Sequence, residues 1–97
     1  MISHDDRRNF YRMMVNAEVT LIQVATDARY EGTCINLSAT GMAVSVEEEI
    51  EADIELEVRL EAADQMVPAL NANTKVIRCT PQGDGSYLLG LEILDVT

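Results

Sequence analysis

A strict alternation of apolar and charged residues runs through positions 54–61, which read Ile54-Glu55-Leu56-Glu57-Val58-Arg59-Leu60-Glu61. Successive side chains of a β-strand point to opposite faces, so this pattern puts the aliphatic side chains on one face and the charged ones on the other. A helix would scatter the same aliphatics around its circumference. The stretch therefore predicts a half-buried strand with one face in water, despite the helix propensity of glutamate.

Five more strands are predicted around this one. Runs rich in β-branched and apolar residues indicate strands over 17–24, 30–35, 42–46, 67–79 and 87–94. Turn residues separate the runs, most clearly between Pro81 and Ser86. Six short strands with no convincing helix and no internal repeat predict an all-β fold, either a small antiparallel barrel or a sandwich. Closure into a barrel would also remove the exposed edges of the sheet.

Length and charge limit the classes of function. The 97 residues predict a single small domain, with an N-terminal arm over 1–13 and a barrel over 17–95. Seventeen acidic residues against seven basic ones give a formal net charge of −10. A protein that binds duplex nucleic acid needs a basic face to displace counterions, so no such partner is expected. The charge also disfavours an anionic membrane surface, and the lack of a run of about 18 apolar residues disfavours membrane insertion.

The N-terminus and the cysteines indicate a reduced compartment. The first residues contain no apolar segment of the kind found in signal peptides. Cys34 and Cys79 lack the spacing of a disulfide scaffold or of a zinc site, and both fall in predicted strands. They are interpreted as small buried hydrophobic residues of a cytoplasmic protein.

Catalytic machinery is difficult to assemble from these residues. His4 is the only histidine and lies near the terminus, so a serine–histidine or cysteine–histidine pair on rigid elements is not expected. No glycine-rich phosphate loop occurs. The glutamates Glu55, Glu57 and Glu61 belong to the wet face of a predicted strand. We therefore expect no catalytic residue, no metal and no cofactor.

Basic residues concentrate near the N-terminus, against the overall charge. Arg7, Arg8 and Arg12 fall close together in the sequence, beside Phe10 and Tyr11. Planar guanidinium groups bind phosphates through paired hydrogen bonds and stack on flat rings, so arginines beside aromatics suit a nucleotide. The alternative is a solubilising arm whose arginines pair with nearby acids.

A second polar segment, Asn36-Leu37-Ser38-Ala39-Thr40-Gly41, interrupts the predicted sheet. As an ordinary hairpin loop, it would use Asn36 and Ser38 to bond local backbone and would place Gly41 at a positive φ. As part of a binding site, it would present short donors and acceptors to the edge of a nucleobase. Gly41 would then let a ligand or another backbone approach closely.

Taken together, the two segments resemble a known family. Residues 8–12 fit the pattern RxxxR, the preceding Arg7 completes the form RRxxxR, and residues 36–41 fit [D/N]xSxxG. This pair of motifs in a β-rich chain of this size resembles the PilZ family of cyclic di-GMP receptors. The segments 76–78 and 89–93 are similar to the last two strands of that family.

The resemblance implies a six-stranded antiparallel β-barrel with a flexible N-terminal arm that folds over a bound cyclic dinucleotide. By this analogy, Arg8 and Arg12 hold phosphates and stack on guanine. Asn36 and Ser38 contact guanine or phosphate, and Gly41 shapes the loop. Asn36 stands where aspartate is commoner in the family, so a contact that needs a carboxylate charge would be weaker here.

The implied function is that of a bacterial cytoplasmic second-messenger receptor, without enzymatic activity, which signals through altered contacts with a downstream protein effector. Arg7 would add a contact to a second, intercalated ligand. The alternative is a PilZ-like barrel that acts only as a protein-interaction adaptor and binds no nucleotide. Many relatives add a C-terminal helix that packs on the barrel. Here the last predicted strand runs almost to Thr97, so the surface beneath that helix is expected to be exposed or covered by a partner.

Overall fold

The computed structural model describes residues 13–61 and 69–96, with side chains from Asn16 onward. Six strands make up the fold: β1 (Met13–Gln23), β2 (Arg29–Leu37), β3 (Gly41–Val46), β4 (Glu55–Leu60), β5 (Leu70–Pro81) and β6 (Tyr87–Val96). The described part of the chain has no helix that could cross a membrane. The predicted flexible arm spans residues 1–13. Its first twelve residues, which include Arg7, Arg8 and Arg12, lie outside the described residues.

The strands form a closed barrel in the order β1-β2-β3-β6-β5-β4, and β4 pairs back with β1. Every pairing is antiparallel. Closure gives each strand a neighbour on both sides and leaves no open edge of the sheet for other chains to pair with. The prediction of a six-stranded antiparallel barrel is confirmed.

The alternation in β4 produces the expected burial. Leu56, Val58 and Leu60 are buried, while Glu55 and Arg59 are exposed. The other strands also contribute apolar side chains to the same core, among them the aliphatic Val19, Leu21, Val44, Val76 and Leu89 and the thiol of Cys34. Fully burying one such aliphatic side chain stabilises a fold by about 1.5–3 kcal/mol.

Among the described side chains, Thr74 is the one polar residue that is buried in this core. Its hydroxyl donates to the carbonyl oxygen of Leu56 at 2.9 Å across the β4–β5 pair. A buried hydroxyl without a partner would be costly, so this hydrogen bond makes the polar group compatible with the apolar interior.

Two expectations are corrected in detail. β1 begins at Met13 instead of residue 17, because Met13 and Met14 pair with Leu37 and Asn36 at the end of β2. The two cysteines also differ. Cys34 is fully buried, and this burial raises its pKa to about 11, whereas Cys79 is only half-buried. Cys34 is thus the small buried hydrophobic residue that was expected, and Cys79 fits that interpretation only in part.

Candidate functional site

The loop between β2 and β3 is closed by the side chain of Ser38. Its hydroxyl accepts a hydrogen bond from the backbone N–H of Gly41 at 3.2 Å and lies 3.1 Å from the Gly41 carbonyl oxygen, to which it can donate. The backbone N–H of Ser38 also donates to that carbonyl, at 2.8 Å. These contacts join the two ends of a very short connection and close the loop.

The same loop is attached to β6. The carbonyl oxygen of Thr40 accepts a hydrogen bond from the backbone N–H of Ile93 at 2.9 Å. A Cβ atom added to Gly41 would lie 2.7 Å from the carbonyl oxygen of Leu91, closer than real Cβ contacts allow. Gly41 is therefore needed for the close approach of the β6 backbone.

The positive φ that an ordinary hairpin would place at Gly41 is not present. Among the described residues, positive φ values occur at Asp27, Asp53, Gly83 and Gly85. Gly41 is the first residue of β3 and pairs with Glu92, so it has an extended backbone. Glycine is required at this position because it has no side chain, and not because of an unusual backbone conformation.

Asn36 owes its position to a β-bulge in β2. Cys34 pairs with Val44 but Asn36 pairs with Ala43, so Ile35 is an extra residue on β2. Bulges bend a strand and redirect its side chains, and they recur beside functional sites. Cys34 points into the core, while Asn36 lies half-buried at the end of β2, two residues before Ser38.

The chain enters the barrel beside this loop. Met13, which follows Arg12, pairs with Leu37, which precedes Ser38. Neighbouring strands lie about 4.8 Å apart, so the entry point of the arm and the start of the loop are adjacent. The structure thus brings Asn36, Ser38 and Gly41 together. Arg7, Arg8 and Arg12 lie outside the described residues, and their place at this site stays a prediction.

Sequence reasoning missed the neighbours that β6 supplies. Glu92 pairs with Gly41 on one side and with Lys75 on the other, which puts a carboxylate beside the loop. No local signal could have found it, because the pairing joins segments that are far apart in the chain.

A groove of about 820 Å³ lies elsewhere, along β1, β2 and β3. Five of its lining residues are glutamates and one is an arginine, Arg29, so its wall is acidic on balance; the glutamates are Glu18, Glu31, Glu47, Glu48 and Glu61. Such a wall repels phosphate groups, so this groove does not suit a nucleotide. Within residues 13–61 and 69–96, no group of three or more histidine, cysteine or acidic residues could hold a metal ion.

Comparisons with known proteins agree with this architecture. The family model of the PilZ domain matches residues 6–97. Among solved structures, the fold is similar to the PilZ domain with c-di-GMP of YcgR from Escherichia coli, with a TM-score of 0.65 and 14% sequence identity, over 91% of this chain and 78% of that chain. At this identity the likeness shows a shared fold. No curated protein matches the sequence.

Proposed function

The chain belongs to the PilZ domain family, and from this premise we propose that it binds cyclic di-GMP between its N-terminal arm and the loop over 36–41. The pairing of Met13 with Leu37 carries the proposal, because it supports a shared site for the two motifs. Asn36 and Ser38 are the barrel's polar contacts to guanine or phosphate, and Gly41 keeps the loop close to β6.

The charge distribution supports a site that depends on the arm. Cyclic di-GMP carries two phosphodiester charges, and three of the seven basic residues of the chain are Arg7, Arg8 and Arg12. The groove along β1, β2 and β3 is less suited to these phosphates, because five glutamates outnumber its one arginine, Arg29. In the proposed complex Arg8 and Arg12 hold phosphates and stack on guanine, and Arg7 contacts a second ligand molecule.

Signalling follows from the contrast between the loop and the arm. The loop is held by its own hydrogen bonds, whereas the arm has few apolar anchors besides Phe10 and Tyr11 to offset its ordering entropy. Bound phosphates would also relieve the repulsion among its arginines. Ligand binding therefore orders the arm across the loop, and a protein effector in the bacterial cytoplasm reads the combined surface. The protein acts as a receptor without enzymatic activity.

Calorimetric titration with cyclic di-GMP tests the binding site. Arg8→Ala and Arg12→Ala should each weaken binding by about 1.5–3 kcal/mol, the scale of a hydrogen bond to a charged group. Lysine should not restore affinity, because the planar guanidinium is lost. Arg59→Ala is the control, since Arg59 lies on β4, half-exposed, with its Nε 3.4 Å from Glu57. Absence of binding to the unmodified protein would support the adaptor alternative, and full affinity in the arm variants would remove the arm from the site.

Amide hydrogen exchange tests the signalling step separately. Backbone amides over residues 5–13 should gain protection when cyclic di-GMP is added, while those of β4 should change little, since this strand is already paired on both sides. Equal protection of the arm with and without ligand would leave a receptor whose arm does not switch.

A further inference from the structure

The groove along β1, β2 and β3 has a polar floor. Three half-buried hydroxyl residues, Thr20, Thr33 and Ser45, line it. Thr20 and Ser45 lie between buried residues of their strands, and Thr33 precedes the buried Cys34, so all three side chains point outward from the barrel. Thr33 pairs with Ser45 on one side and with Glu18 on the other. The short side chains on neighbouring strands thus form one continuous floor.

The walls of this groove are carboxylates that no cation neutralises within the described part of the chain. The five glutamates named above are all exposed. They form no ion pair with another described residue, and neither does Arg29; the ion pair that the described residues do contain joins Arg59 to Glu57, outside the groove. Like charges close together repel one another, so a cationic occupant would stabilise this wall.

The chain carries a cationic segment of its own. Residues 1–12 contain three arginines and two aspartates, whereas the rest of the chain contains four basic and fifteen acidic residues. The arm therefore has an excess of positive charge and is attached to a strongly negative barrel. A tether raises the effective concentration of the two parts, so they can associate even where each contact is weak.

The arm joins the barrel close enough to reach this groove. It enters at Met13, five residues before Glu18 on the same strand. At about 3.3 Å per residue, these two positions are about 16 Å apart. Arg8 lies five residues before Met13, so a chain that turns back at this point brings Arg8 level with Glu18. The extended length of twelve residues, about 40 Å, is enough to cover the rest of the groove.

We propose that, without ligand, the arginines of the arm dock in the groove along β1, β2 and β3, and that this contact competes with cyclic di-GMP for the arm. The contact itself needs no ligand, whereas the competition rests on the proposed function. Thr33, at the near end of the groove, lies three residues from Asn36 on β2, or about 10 Å. Arg8 cannot occupy both places at once, so ligand binding requires the arm to leave the groove.

Side chains alone hold the arm in the groove. β2 is paired with β1 on one side and with β3 on the other, so its backbone groups are already used in the sheet. Guanidinium groups donate to the glutamate carboxylates and to the hydroxyl oxygens of the floor, while the amides of the arm stay in water. These amides therefore still gain protection when the ligand binds. Exposed ion pairs are weak, so the ligand can displace the contact.

NMR spectra of the full chain without ligand test the contact. Combined Arg7→Ala, Arg8→Ala and Arg12→Ala should shift the backbone amide signals of Thr33 and Ser45 and leave those of β4 in place. The difference between the two proteins should fade at about 1 M salt, where the Debye length is only about 3 Å. Unchanged signals of Thr33 and Ser45 would overturn the inference. Signals that move with protein concentration would place the arm of a second copy in the groove and would overturn a contact within one chain.

Calorimetric titration tests the competition. Combined Glu18→Gln, Glu31→Gln and Glu47→Gln should tighten the binding of cyclic di-GMP about threefold or more, because a docked arm lowers the fraction of molecules that are competent to bind. The matched control removes the same charge by glutamine substitution of three exposed glutamates outside the groove, namely Glu49, Glu51 and Glu55. The control should keep an affinity close to that of the unmodified protein.

The two experiments separate this inference from the proposed function. An equal gain of affinity in both triple variants would reflect net charge alone and would overturn the competition. Failure of the unmodified protein to bind cyclic di-GMP would overturn the proposed function. The NMR comparison, which is made without ligand, would then still decide whether the arm docks in the groove.

Discussion

The two hairpin loops that follow β2 and β5 have similar turn-forming sequences, but they are built differently. The loop after β2 is attached to a third strand, because Thr40 accepts a hydrogen bond from Ile93 and Gly41 lies against the Leu91 carbonyl. The loop after β5, over 82–86, is held by bonds among its own residues and by one from the Gln82 side chain to the carbonyl oxygen of Thr80 in β5, and none of its described hydrogen bonds reaches a third strand. This difference decides which loop can present polar groups to a ligand in fixed positions.

The loop over 82–86 shows what local turn chemistry produces alone. Gly83 and Gly85 adopt positive φ values of 87° and 94°, which glycine accepts without strain. Asp84 accepts hydrogen bonds from the backbone N–H of Ser86 at 2.9 Å and from its hydroxyl at 2.6 Å. The residues from Gln82 to Gly85 are exposed, so this loop is a solvated connection.

Substitution of a glycine in each loop should give the largest difference in the free energy of unfolding. Gly41→Ala should lower the free energy of unfolding by about 3 kcal/mol, since its Cβ would meet the Leu91 carbonyl oxygen and the backbone must shift. Gly83→Ala has open space around it and should cost about 1 kcal/mol, because only the positive φ is unfavourable. Urea denaturation measures both.

The affinity for cyclic di-GMP is a second measurement that should distinguish the two glycine variants. It should fall in Gly41→Ala, where the loop is displaced, and stay unchanged in Gly83→Ala. Equal losses of stability in the two variants would mean that attachment to β6 does not distinguish the loops.

The same contrast explains which parts of the molecule could be predicted from sequence. The strand β4 was predicted correctly because its alternation is a local signal, and both loops were recognised from their turn residues. A close backbone approach at Gly41 was one of the alternatives that the sequence left open, but the partner could not be identified, because Leu91 is far along the chain. The bulges at Ile35 and Ile77 also had no signal, since isoleucine is an ordinary strand residue.

Substitutions of Ser38 and Ser86 should have an intermediate effect on stability. Ser38→Ala removes the half-buried hydroxyl that accepts from the Gly41 N–H, so it should lower stability by about 1 kcal/mol, or roughly 4–8 °C in melting temperature for a chain of this size. Ser86→Ala should shift the melting temperature less, because water can replace an exposed hydrogen bond. A larger shift for Ser86→Ala would contradict the ranking of the two loops.

Ligand affinity again separates these variants. Ser38→Ala removes a proposed contact to the dinucleotide and should weaken binding, whereas Ser86→Ala should leave it unchanged. Full affinity in Ser38→Ala would show that the hydroxyl serves the loop alone.

The smallest effect should be a pH dependence confined to the loop over 82–86. The hydrogen bond from the Ser86 hydroxyl, followed by that from the Ser86 backbone N–H, lowers the pKa of Asp84. A carboxyl group whose pKa is lower in the folded state stabilises the fold above its unfolded pKa, and this contribution is lost as the pH falls through the folded value. Because Asp84 is fully exposed, the contribution is small.

Ser86→Ala should therefore raise the pKa of Asp84 toward its ordinary value, which an NMR titration of the Asp84 carboxyl measures directly. The stability difference between Ser86→Ala and the unmodified protein should be present near neutral pH and should shrink in acid, where Asp84 is protonated in both. Ser38→Ala should show no such change, because the Ser38 hydroxyl bonds only backbone groups that do not titrate. Two results would contradict this prediction: an unchanged pKa of Asp84 in Ser86→Ala, or the same loss of stability difference in acid for Ser38→Ala. Either would show that the two loops do not differ in their dependence on pH.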